Sequence, residues 1–165
     1  MNRNRLFNGE YCLLQGFFWM AFCTVVSYAA LFLQRRGYTS TQTGIIMALG
    51  LVLSFLLQPT VAALADRSKK INLIGVVAAI SAVMLCGMLT TWLVPGKSAA
   101  VCIAYGLYFC CVYLMLPFAN AFAGFLSSWG AKVNFGIARG VGSLTYALLS
   151  LALGVGVISS STPCQ

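Results

Sequence analysis

Arg139 is the side chain with the most to explain. It lies well inside an apolar stretch, residues 134–150, that reads NFGIARGVGSLTYALLS. A guanidinium is a permanent cation with a planar fork of donors. On a helix, steps of four, seven and eleven residues return to nearly the same face. From Arg139 those steps land on Ser143, Tyr146 and Ser150. That face carries a cation, two hydroxyls and a phenol, while Val141, Leu144 and Leu148 on the opposite face suit lipid or other helices. A spanning helix with one wet face implies a cavity within a bundle. A central arginine costs about 2.5–3.5 kcal/mol to insert, so it turns to a partner or to water. The other course open to it is to snorkel: from a helix start near Val133, Arg139 lies only roughly 9 Å in, at 1.5 Å per residue.

Three further features bear on such a cavity. Asn120 lies deep in an apolar run near Pro117. Its amide needs partners, which a solute, Arg139 or another helix could supply. Gly136, Gly140 and Gly142 suggest a helix that packs tightly on one side, the first two in a G-x-x-x-G spacing that lets helices approach closely. Asp66 and Glu10 are the only acids, and neither falls inside an apolar run. No nucleophile–base pair, phosphate loop or metal-ligand cluster occurs, so no catalytic residue, cofactor or metal is expected and the protein is read as a non-enzyme. The seven cysteines include no C-x-x-C pair, and there is no histidine. Six of them lie in or beside apolar runs, where a thiol behaves as a small apolar group.

The elements that must position these residues are set by composition. Apolar residues make up 61% of the chain and charged residues 7%, against about 25% charged in a soluble domain. At about 20 apolar residues per crossing, the 165 residues leave no room for a separate soluble domain. Five segments are long enough to span a bilayer, at about 11–33, 44–65, 71–94, 99–126 and 133–158. Residues 1–10 form a polar amino-terminal segment and 159–165 a polar tail. None of the segments alternates with period two, which excludes an outer-membrane barrel. The expected fold is therefore all-α, a polytopic membrane helix bundle. The first segment exceeds the apolar core of a cleaved signal peptide and is read as a retained helix.

The net charge of +8 resides in short loops, so topology and anionic lipid account for it and nucleic acid is not an expected partner. Arg3, Arg5, Arg67, Lys69, Lys70 and Lys132 fall on one side, and Arg35, Arg36 and Lys97 on the other. The richer side is expected in the cytoplasm, with the amino terminus.

Three stretches carry a resemblance to a known family. They are Gly16-Phe17-Phe18-Trp19; Thr43-Gly44-Ile45-Ile46 leading to Gln58-Pro59 and Ala65-Asp66-Arg67; and Asn134-Phe135-Gly136-Ile137-Ala138-Arg139 followed by Gly142. In order and spacing they resemble the amino-terminal half of a major facilitator superfamily transporter, closest to the oligosaccharide:proton symporters of the lactose permease type. The resemblance implies that Arg139 hydrogen-bonds a sugar's hydroxyls. It puts Tyr146 in the place of an aromatic that stacks on the sugar ring. Asn120 or Ala121 takes the place of the acid that pairs with the arginine, so the carboxylate is missing and galactoside specificity does not follow. Asp66, Arg67 and Lys70 fall in the loop that regulates the conformational switch. Such transporters have about twelve helices in two halves of about six, so the chain is expected to be five helices of a truncated half.

The resulting expectation is a fragment of a secondary active transporter of the bacterial inner membrane. It would move a sugar or similar neutral polyhydroxyl solute together with a proton, by alternating access. Arg139, Tyr146, Asn120 and Ser143 would bind the solute, and the fragment would not transport without its carboxyl-terminal helices. The competing expectation is a stand-alone five-helix scaffold that binds another membrane protein through its glycine faces.

Overall fold

The computed structural model describes residues 3–67, 73–128, 130 and 132–161, with side chains described for 6–64, 74–128, 130 and 132–156. Every regular element among them is helical: α1 (Arg3–Phe22), a π turn (Cys23–Ser27), α2 (Ala29–Arg35), α3 (Ser40–Arg67), α4 (Leu73–Leu93), α5 (Ala99–Ser128) and α6 (Phe135–Ser161). Five stretches are long and apolar enough to cross a membrane: Leu6–Ser27, Ser40–Leu64, Ile74–Leu93, Ala99–Ser128 and Phe135–Gly156. The protein is an all-α polytopic membrane bundle.

The helix ends follow from local polar residues. Thr39 and Gln42 form a reciprocal capping box at the start of α3: Gln42 N donates to Thr39 Oγ1 at 3.2 Å, and Thr39 N donates to Gln42 Oε1 at 3.1 Å. The Ser98 hydroxyl accepts from Val101 N and caps α5. Asn134 Oδ1 accepts from Ile137 N and caps α6. At the end of α2, Gly37 N donates to Gln34 O and Tyr38 N to Leu33 O. This double closure needs a left-handed residue, and Gly37 supplies it with φ +88°.

The first segment differs from the uninterrupted helix expected over 11–33. Helix α1 begins eight residues earlier, at Arg3, and the ladder widens to a π turn at Cys23–Ser27 before α2 resumes. The turn holds the β-branched run Thr24-Val25-Val26, and the Thr24 hydroxyl donates to Ala21 O at 2.8 Å. A hydroxyl that bonds back to a helix carbonyl competes with the regular ladder. Pro59 in α3 and Pro117 in α5 each remove one donor without ending their helix.

The chain divides into two units. The first is Met1–Ser27 with Ala119–Gln165, and the second is Tyr28–Phe118. In the first, α1 and α6 run in the same direction. The Gly16 carbonyl accepts from the Thr145 hydroxyl, and Asn8 ties the two starts together, donating to Lys132 O and accepting from Asn134 N, each at 2.7 Å. In the second, α5 packs on α3 and α4 through glycines. A Cβ at Gly50 would lie 2.9 Å from Gly106 O, and one at Gly87 would lie 3.1 Å from Ala104 O. Val76, Ile80, Cys110, Cys111, Leu114 and Phe118 form an apolar core beside them. Leu49, Val52, Phe55, Leu56 and Leu85 point outward, as a bilayer requires of a spanning surface.

Candidate functional site

Tyr11, Gln15 and Trp19 recur at steps of four along α1 and so share one face. Gln15 is fully buried, at 0% exposure. An amide there must have every donor and acceptor satisfied. Its Nε2 donates to Tyr11 Oη at 2.8 Å and to Ala119 O at 3.1 Å, with a longer contact of 3.4 Å to Asn120 Oδ1. The Tyr11 hydroxyl in turn donates to Ala119 O at 3.3 Å. On its other side, Gln15 Oε1 accepts from the indole Nε1 of Trp19 at 3.1 Å. One glutamine therefore joins α1 to α5 and fixes the plane of a tryptophan.

The face of that tryptophan carries Arg139. The guanidinium carbon lies 4.0 Å from the ring centroid. A desolvated contact of this kind contributes about 2 kcal/mol. Gly142 makes room for the ring: a Cβ there would fall 2.4 Å from Trp19 Cδ1. Tyr146, one turn on, meets Trp19 edge to face at 6.3 Å, and its hydroxyl pairs with that of Ser27 at the end of the π turn.

One atom of this cluster is left over. Arg139 Nη1 is buried and has no hydrogen-bond partner among the described residues. A buried charged donor without an acceptor is costly. Among the described residues no carboxylate answers it.

The residues expected to bind a solute are thus placed differently from one another. Arg139 and Tyr146 both meet Trp19. Asn120, half-buried, reaches the cluster through the longer contact from Gln15 Nε2, a link between two helices. Ser143 is exposed, and its hydroxyl donates back to Arg139 O at 3.2 Å, within its own helix. The side chains of Asp66 and Arg67, and all of Lys70, lie outside the described residues.

Of the three glycines expected to pack closely, Gly136 and Gly140 are not what brings α6 to α1. Both are exposed, a Cβ at Gly140 would meet nothing within 4 Å, and one at Gly136 would meet only the capping Asn134. Gly142 and Gly16 are the residues at the contact, because they face Trp19 and Thr145. Tyr11, Gln15, Trp19 and Ser27 complete the cluster; Trp19 stands in the Gly16–Trp19 stretch read from sequence, but none of the four was expected in the solute site. Their signal was present in the regular steps of four along an otherwise apolar helix.

A buried polar network threaded through spanning helices belongs to the class of multi-pass proteins that handle polar solutes within the bilayer. The family described as the MFS_1 like family matches residues 11–162. The chain belongs to that family, one of transporters and not of enzymes. Neither the curated proteins nor the solved structures give a match.

Proposed function

We propose that Arg139 and Trp19 form part of the solute site of a secondary transporter for a sugar or similar neutral polyhydroxyl compound. The observation that carries this reading is the buried, partnerless Nη1 of Arg139. A hydroxyl oxygen of the solute would be its acceptor. The half-buried rings of Trp19 and Tyr146 would lie against the apolar face of a sugar ring. Asn120, held by Gln15, and Ser143 would add hydrogen bonds at the rim.

In this reading the protein works by alternating access, coupled to a proton, in a bacterial inner membrane with its amino terminus in the cytoplasm. Ser27 and Ser143 each make one hydrogen bond and are exposed on spanning segments, and we assign the role of covering them to further helices. Asp66, Arg67 and Lys70 would regulate the switch between the two open states.

The test uses Trp19 as reporter. With Trp92 and Trp129 changed to Phe, Trp19 is the sole tryptophan, and its emission is followed while neutral sugars and polyols are titrated onto the detergent-purified chain. A saturable response is expected, lost in both Arg139→Ala and Arg139→Lys because an ammonium cannot reproduce the fork. A saturable response that survives both substitutions would remove Arg139 from the site.

A second reading has one observation in its favour. Gly136 and Gly140 form an uncovered small-residue stripe on α6, the kind of surface on which another helix packs closely. It makes the chain a scaffold for a second membrane protein. Crosslinking from Gly140→Cys to an α-helical partner, with no sugar response at Trp19, would favour it.

A further inference from the structure

Two turns of the second unit lie against each other and gather three of its cations, Arg35, Arg36 and Lys97. Residues 36–39 join α2 to α3, and residues 94–98 join α4 to α5. Arg36 donates from Nη1 to Val94 O, Tyr38 Oη donates to Ser98 O at 2.6 Å, and Ser98 N donates to Tyr38 Oη at 3.2 Å. The Lys97 ammonium lies 5.6 Å from the centroid of the Tyr38 ring, and the Arg36 guanidinium 4.8 Å from that of Phe32. Arg35 is exposed beside them in the last turn of α2.

A cleft of about 430 Å³ opens here, lined by Phe32, Arg35, Arg36, Pro95 and Gly96. Gly96, with φ +72°, has open space where a side chain would be. Its lining joins an aromatic ring and a proline to two guanidinium groups.

Among the described residues of the second unit no acid lies beside these cations. The only acid of the second unit is Asp66, next to the last residue of α3, whose first residue is Ser40. At 1.5 Å per residue that is roughly 40 Å along the helix, several times the screening length of about 8 Å at physiological ionic strength. The cleft also falls where four helices begin or end, and so at the edge of the membrane-spanning lengths. The nearby carbonyls of the α2 terminus offset only part of the charge.

We propose that this cleft binds a phosphate group. Arg35 would supply a free fork to two phosphate oxygens. Arg36, held by Val94 and Phe32, would supply the remaining charge without having to be ordered on binding. Phe32 and Pro95 would lie against the carbon substituent of the phosphate. A phospholipid headgroup at the bilayer surface and a free phosphate share this chemistry, and the experiment separates them.

The 165-residue chain is purified in mild detergent, and retained phosphatidylglycerol is measured by native mass spectrometry against phosphatidylcholine, with and without millimolar inorganic phosphate. Preferential phosphatidylglycerol binding is expected, falling about fivefold for each cation removed, in Arg35→Gln and in Lys97→Gln. Lys132→Gln, in the other unit, should leave it unchanged. Displacement of the lipid by inorganic phosphate identifies a free phosphate as the ligand, and resistance to it identifies a lipid. Wild-type retention in both Arg35→Gln and Lys97→Gln overturns the proposal, and neither substitution removes a described hydrogen bond of the fold.

Discussion

The two units of this protein solve the same problem with different materials. In the second, spanning helices meet through apolar side chains and through glycines whose missing Cβ lets a backbone carbonyl approach, as at Gly50 and Gly106. In the first, the helices meet through a glutamine, two aromatic donors and an arginine. Between membrane helices there is little hydrophobic driving force, since lipid tails are as apolar as leucine. Close packing therefore suffices for stability, and a buried polar chain needs another explanation. It is expensive unless complete, and among the described residues one guanidinium nitrogen of it is buried without a partner. The contrast teaches where to look for function: in the unit that carries the costlier interior and leaves one donor open.

The comparison is sharpest if Gln15 is removed. Gln15→Leu would leave Tyr11 Oη, Ala119 O and Trp19 Nε1 short of a partner in the first unit. A loss of about 3 kcal/mol is expected, measured by thermal unfolding in detergent. Rotation of the Trp19 indole should also shift its emission. Unaltered stability would mean that the polar chain is ornamental to the fold.

Next come two glycines that test the same steric argument in each unit. Gly142→Ala would drive a methyl into Trp19, with an expected cost of about 2 kcal/mol and an altered Trp19 environment. Gly50→Ala would press on Gly106 O and Phe109 at a similar cost of about 2 kcal/mol, with Trp19 emission unchanged. If Gly50→Ala also moved Trp19, the distinction between the units would fail.

Ile80→Val removes one methyl group from the apolar core of the second unit and should cost about 1 kcal/mol, visible only as a small drop in melting temperature. The smallest effect belongs to Tyr146→Phe. It deletes the hydroxyl pair with Ser27 while keeping the ring against Trp19. An interhelical hydrogen bond in a membrane contributes about 0.6 kcal/mol on average, so stability should barely change. Solute binding should fall further than that figure implies if the phenol meets the solute.

Much of this was legible before any coordinates. Apolar length alone determined that helices cross a membrane and roughly where each one lies. A helix is the open-chain structure that satisfies its own backbone in lipid, so the information is local. Arg139 stood out for the same reason, as a charge set in an apolar run. The break at Cys23–Ser27 was less legible, because it depends on one threonine hydroxyl reaching a carbonyl of its own helix.

What tertiary structure alone decided is which faces meet. Trp19 and Arg139 are separated by 120 positions, and no periodicity within either helix states that one ring lies on the other's guanidinium. The choice of Gly142 over Gly136 and Gly140 as the close contact was likewise settled by the rotation of α6 against α1. Asn120 received its partner from a residue on a different helix. Helix formation depends on neighbours along the chain, whereas the completion of a buried polar group depends on neighbours in space.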